Sequence, residues 1–241
     1  MATKEDSDFD VFGDTSSSDS ETDTPAIQRR GCSQPTKLSV LDLQRRQYLQ
    51  SSRKEVAFPT LRNQKPINFG QVFGLAERQA ILSSLAELVE QSGWTLQRHG
   101  AFPTRDIPVS RLSVADMVTS RLQAFLFPHL EEHTGISEQY WTFRDLFIIG
   151  YHQDHQRSLE MHSDGSLASL TLLLNETSEF EGGGTFFEKF NMLVKQNPGD
   201  AWIHDGRLDH CSEAITRGER IVMVAFIDTV GGCTDLLIRK S

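Results

Sequence analysis

Apolar residues in the first half of the chain recur at three- and four-residue intervals. In the second half they come in short runs broken by glycine, proline, asparagine and aspartate. Over 75–91, Leu75, Ile81, Leu82, Leu85, Leu88 and Val89 form a stripe of helical period, and Gly93 stands where such a helix would end. A second helix is predicted over 113–130, with Pro128 near its end, and a short amphipathic one over 38–50 from Leu38, Leu41, Leu43 and Leu49. Between the two longer helices, 101–109 is too rich in proline for a helix and reads as loop or edge strand. After Trp141 the runs 142–151, 166–175, 184–190, 192–196, 200–204 and 220–228 are of β type. Closely spaced strands with no helical pattern between them predict a β-sandwich or jelly roll, so the fold class expected is α+β, with the N-terminal helices packed on that sandwich.

Composition changes this picture at the N-terminus. The 241 residues are 38 % hydrophobic and 9 % aromatic, enough for a substantial core. Residues 1–24 hold eight acids against Lys4 alone, so most of the formal charge of −9 sits there. Residues 1–36 bury too little to repay ordering and are expected to form a disordered acidic tail. Within it, Ser16, Ser18 and Ser20 each precede an acid by three positions, a pattern acid-directed kinases favour; a purely solvating tail is the simpler reading. The expected organisation is a tail over 1–36, a helical supporting region over 37–139 and a jelly-roll domain over 140–241.

No stretch approaches the roughly 18 consecutive apolar residues of a membrane span, and the acidic start lacks the basic and apolar character of a secretory signal. Three cysteines, Cys32, Cys211 and Cys233, show no zinc-type spacing and suggest reduced thiols. These features lead to the expectation of an intracellular protein, cytoplasmic or nuclear and not secreted. The acidic balance weighs against a nucleic-acid surface, and oligomeric state is not legible.

The chemistry gathers in "EMHSDGSLASLTLLLN", where His162 and Asp164 stand before an apolar run. Residues two apart on a strand share a face, so both can address one metal ion. A third ligand would come from His204 or His210. Two histidines and a carboxylate leave three positions open, the arrangement of non-haem Fe(II) sites. Such a pair alone is also what a strand-end histidine bonded to a nearby acid looks like. Arg220, ten residues after His210 at the start of an apolar strand, adds weight, because a buried guanidinium requires a partner. A carboxylate entering a cavity suits it, as does a buried Asp.

These residues resemble a known family. From about 143 to 228, Tyr151, "QRSLEMHSDGS", "LLLN", "FEGGGTFF", "HDGRLDH", "GER" and "VAFID" follow the order and spacing of the Fe(II)- and 2-oxoglutarate-dependent dioxygenases of the prolyl 4-hydroxylase and procollagen lysyl hydroxylase type. The resemblance implies a double-stranded β-helix. It implies His162, Asp164 and His210 as iron ligands and catalytic residues, with His204 supporting rather than ligating. It implies Arg220 on the distal carboxylate of 2-oxoglutarate, with Tyr151 and Thr171 lining that pocket. Gly182, Gly183 and Gly184 would allow a tight turn beside the cavity. The reaction implied is hydroxylation of a C–H bond with O₂ as oxidant, succinate and CO₂ as co-products and ascorbate as support. A prolyl or lysyl side chain of an intracellular protein is the expected substrate. A free amino acid, another small molecule, or a non-catalytic jelly-roll interaction module are the alternatives.

Overall fold

A computed structural model of the chain describes Leu61, residues 64–96 and residues 98–230. The acidic tail, its serines, the helix expected over 38–50, Cys32 and Cys233 lie outside the described residues. The order of elements is β1 (Ile67–Gln71), α1 (Leu75–Ser92), β2 (Asp106–Pro108), α2 (Ala115–Thr134), β3 (Trp141–His152), β4 (Leu159–His162), β5 (Ala168–Leu173), β6 (Phe180–Gly182), β7 (Thr185–Phe187), β8 (Met192–Val194), β9 (Asp200–Asp205), β10 (His210–Ser212) and β11 (Ile215–Thr229).

The two helices fall where the apolar stripes predict them. Glu77 accepts a hydrogen bond from the Gly74 N–H at 2.9 Å at the start of α1, and the Gly93 N–H donates to the Val89 carbonyl at its end. Helix α2 runs past Pro128 to Thr134 and stops at Gly135, which is left-handed with φ 71°. A proline inside a helix costs about 3 kcal/mol. Here it sits on the exposed side, while Leu122, Leu126 and Leu130, one turn apart and fully buried, hold the helix together across it.

The strands form two antiparallel sheets. The major sheet has the order β1-β9-β5-β11-β3-β2, with β6 pairing a further stretch of β11; the minor sheet has the order β4-β10-β7-β8. This is the jelly-roll architecture expected. The N-terminal half is not wholly helical, since β1 and β2 close the two ends of the major sheet. β2, from the proline-rich segment, is an edge strand, where the missing proline N–H costs no ladder bond.

Period-two alternation sorts the major sheet into two faces. Ile148, Leu170, Leu172, Met223, Ala225 and Ile227 join the core that also holds Ile81, Leu85, Leu122 and Leu126 of the helices. Phe147, Ile149, Tyr151, Leu173, Val222 and Val224 belong to a second core on the opposite face. Every second residue of β3, β5 and β11 is therefore directed away from the helices. That parity positions the site.

Candidate functional site

Arg220 pairs with Tyr151 across β11 and β3, and Thr171 pairs with Val224 across β5 and β11. Arg220, Tyr151 and Thr171 share the non-helical face, and they line a cavity of about 390 Å³ together with His162, Asp164 and His210. The minor sheet supplies the histidines. His162 ends β4 and His210 begins β10, directly opposite it in register. Asp164 lies in the turn that follows β4. Arg144 of β3 holds that turn by donating to the carbonyls of Asp164 and Gly165 at 3.2 and 3.1 Å, and it pairs with Asp228 of β11 at 2.9 Å.

One ligand atom from each of His162, Asp164 and His210 lies within 4.8 Å of the others. The His162 Nδ1 is 2.7 Å from the Glu160 carbonyl and the His210 Nδ1 is 2.9 Å from the Leu208 carbonyl. Each Nδ1–H is thereby committed to donating to backbone, which leaves the Nε2 lone pair facing inward. Those Nε2 atoms lie 3.4 and 3.7 Å from the same carboxylate oxygen, Oδ1 of Asp164. Two nitrogen lone pairs opposed to a carboxylate repel unless a cation stands among them. The arrangement fits a divalent metal.

The electrostatics agree. Burial pushes the His210 imidazole down to about 3, so it is neutral and able to ligate at ordinary pH. Burial works against ionisation of Asp164, but a proton taken up by the facing His210 or His162 outweighs it, so the coupled group holds the carboxyl below its ordinary range. His204 is enclosed as well, with its Nδ1 3.0 Å from the Asp205 carbonyl. Its Nε2 stands 4.0 Å from Asp164 Oδ2 and has no hydrogen-bond partner among the described residues. It falls outside the group of three and stands one step back from it. Between the two histidines that the sequence left open as third ligand, the geometry gathers His210.

A different chemistry occupies the other part of the cavity. Arg220 is 2 % exposed, and no carboxylate pairs with it among the described residues. Its guanidinium donates to Ser212 Oγ at 3.2 Å and to Gln196 Oε1 at 2.7 Å, both uncharged. Gln196 in turn donates to Thr171 Oγ1 at 2.8 Å. Burial lowers the arginine to about 10, still protonated at neutral pH. Burial raises the Tyr151 phenol, against the pull of Arg220 and a Ser212 hydrogen bond. A buried cation with only neutral partners, open to a cavity, suits the carboxylate of a small molecule. The walls around it are apolar, with Phe147, Ile149, Val222, Val224 and Phe226 among them.

Three features were not singled out in the sequence. Ser212 stands two residues after His210 on β10, so the parity that links His162 with Asp164 would have found it. Gln196 follows β8 in a run legible only as strand, and no spacing ties it to Arg220. The segment 98–104 lies over the cavity, with Phe102 tilted against His162 at 5.0 Å and His99 against Phe147 at 4.6 Å between ring centres; its proline signals a loop and nothing of its position. Gly183 has φ 66°, and a Cβ there would come within 3.0 Å of Arg220 Cδ. The glycine run expected beside the cavity thus admits the arginine itself.

No protein-family profile matches the chain. Among curated proteins, it is 33 % identical over 134 residues to procollagen-lysine,2-oxoglutarate 5-dioxygenase of Drosophila melanogaster, covering 53 % of this chain and 18 % of that protein. It is 31 % identical over 166 residues to the multifunctional procollagen lysine hydroxylase and glycosyltransferase LH3 of Rattus norvegicus, covering 62 % of this chain and 22 % of that protein. The chain thus spans about a fifth of the length of these relatives. Among solved structures, the viral collagen prolyl hydroxylase of Paramecium Bursaria Chlorella virus-1, in its 2OG complex, matches with a TM-score of 0.53 at 14 % identity, over 69 % of this chain and 97 % of that one. That likeness concerns the fold.

The relatives overturn one expectation. An intracellular, non-secreted protein is not supported, because these relatives are named for procollagen, a cargo of the secretory route. The polar start of a chain that spans about a fifth of its relatives carries no information on targeting. Among the described residues no helix is long and apolar enough to cross a membrane.

Proposed function

This chain is related to the iron- and 2-oxoglutarate-dependent dioxygenases, and from that premise we propose that it hydroxylates a C–H bond of a prolyl or lysyl side chain in a protein substrate. The co-substrates are 2-oxoglutarate and O₂, and the co-products are succinate and CO₂. One observation carries the reading: a buried His–Asp–His donor set and a buried arginine with no carboxylate partner among the described residues line the same cavity. The names of the relatives, lysyl hydroxylases of procollagen, support the substrate class.

Fe(II), held by His162, Asp164 and His210, would supply activation of O₂ coupled to oxidative decarboxylation of the 2-oxo acid. The chain's own residues then have separable tasks. Arg220 anchors the distal carboxylate by paired, charge-assisted hydrogen bonds, which fixes the co-substrate's direction. Thr171 and Tyr151 present hydroxyls to the same end. The aromatic and aliphatic walls exclude water, so each of these interactions acts in a low dielectric. Glu160 and Leu208 hold the two ligand imidazoles in one tautomer through their carbonyls, and Arg144 holds the Asp164 turn. On this reading 140–241 is the catalytic domain and the preceding region supports it, and ascorbate would serve as the supporting reductant.

Succinate release by the purified chain with Fe(II), 2-oxoglutarate and ascorbate tests the reading beside His162→Ala and Arg220→Ala. The expected result is slow turnover without added substrate, lost in both variants, and gain of one oxygen on lysyl or prolyl peptides by mass spectrometry. Absence of turnover, together with no rise in melting temperature on adding metal and 2-oxoglutarate, would overturn it in favour of a non-catalytic interaction module.

A further inference from the structure

Arg220 poses a problem of direction. A guanidinium carries donors only, so whatever touches it inside the protein must accept. A carboxylate there would cancel its charge; water would leave it mobile. The chain uses an amide. Gln196 presents Oε1 to Arg220 at 2.7 Å, and the opposite orientation would set an NH₂ against a guanidinium. The amide nitrogen is then obliged to donate to Thr171 Oγ1, at 2.8 Å. Because that oxygen already accepts, the Thr171 hydroxyl proton turns elsewhere, and Thr171 lines the cavity whereas Gln196 does not. All three side chains belong to buried residues, so solvent does not scramble the order.

We propose that Gln196 is a positioning residue that sets the hydrogen-bond direction at this end of the cavity, keeping Arg220 an uncompensated cation and turning the Thr171 hydroxyl toward the distal carboxylate of a bound 2-oxo acid. The proposal rests on the reading of the cavity as a 2-oxoglutarate site. It predicts coupling: the contribution of Thr171 to binding depends on Gln196, although Gln196 touches no ligand. It also explains why the residue is not an acid. A glutamate in its place would pair with Arg220 and oppose the incoming dianion.

Calorimetric binding of 2-oxoglutarate to the full chain loaded with Mn(II), which is redox-inert here, tests this without turnover. Pyruvate, which has the 2-oxo acid but no distal carboxylate, serves as the comparison ligand. Gln196→Leu is expected to weaken 2-oxoglutarate binding about tenfold, in line with loss of a hydrogen bond to a charged group, and Gln196→Glu about a hundredfold, because the added carboxylate pairs with Arg220 and repels the dianion. Pyruvate and Mn(II) binding should stay within about twofold, which a general loss of structure would not allow. Thr171→Val should weaken 2-oxoglutarate binding severalfold in the unsubstituted chain and hardly at all in Gln196→Leu, the signature of a shared network. Gln196→Glu, close to isosteric, keeps the test valid if the leucine variant does not fold. Unchanged 2-oxoglutarate affinity in Gln196→Glu, or additive Thr171 and Gln196 effects, would overturn the proposal. If the unsubstituted chain binds pyruvate and 2-oxoglutarate equally, the 2-oxoglutarate reading itself falls and this proposal with it.

Discussion

At the scale of single residues, the cavity is built from side chains whose partners leave a function over. His162 and His210 spend one nitrogen each on backbone and keep the other for the centre. Arg220 spends its donors on a hydroxyl and an amide and keeps its charge. Gly183 belongs in the same set, because its missing side chain is what admits Arg220. Gly183→Ala forces a Cβ into a backbone with φ 66° and against Arg220 Cδ and Ile215. The expected cost is about 1–2 kcal/mol of stability from the left-handed conformation, with weaker 2-oxoglutarate binding because the arginine must move. Gly184→Ala, at φ 119°, meets Leu193 and the Val194 carbonyl instead. It should lower the melting temperature and spare the affinity. Thermal melts and calorimetry on both variants check the pair, and equal affinities would show that Gly183 does not position the arginine.

At the scale of elements, what was legible followed from period. The leucines of α1 and α2 repeat every turn, and the β runs after Trp141 are long enough to alternate, so their existence and most of their limits could be read. β4, β6 and β10 could not. Each has three or four residues, and β10 reads His-Cys-Ser, with no apolar alternation to show. The triad was legible because it depends on local spacing and on the ten-residue interval to Arg220. Gln196 was not, because its tie to Arg220 is made only by folding, across 24 residues. Helix α2 offers a test of the division between support and site. Leu126 is fully buried in the helix-side core and lines no part of the cavity. Leu126→Ala should cost about 2–5 kcal/mol, the range for a leucine-sized cavity in a packed core, measured by urea unfolding. The affinity for 2-oxoglutarate should be unchanged at temperatures where the variant is folded. A loss of affinity would mean that the helices shape the cavity as well as support the sheet.

At the scale of the whole molecule, the two faces of the major sheet face opposite demands. The helix side buries leucines, isoleucines and phenylalanines at no electrostatic cost, while the cavity side encloses histidines, an aspartate and an arginine. The folded state therefore answers to pH through one face. Burial holds His210 down at about 3 and lowers His204 and His99 as well. In the unfolded chain each takes up a proton as pH falls through about 6.5, whereas the folded forms resist. The unfolded state then binds more protons, so stability is greatest above about 6.5 and declines below it, by about 1.4 kcal/mol per pH unit for each histidine fully so held. Asp164 acts in the same sense lower down. Its folded carboxyl is held below the ordinary value, so the stability it adds is present above about 4 and is lost as acid protonates it. Urea midpoints of the chelator-treated chain should fall steadily from pH 7 to pH 5. A flat metal-free profile would place the buried histidines' protonation outside the folding equilibrium.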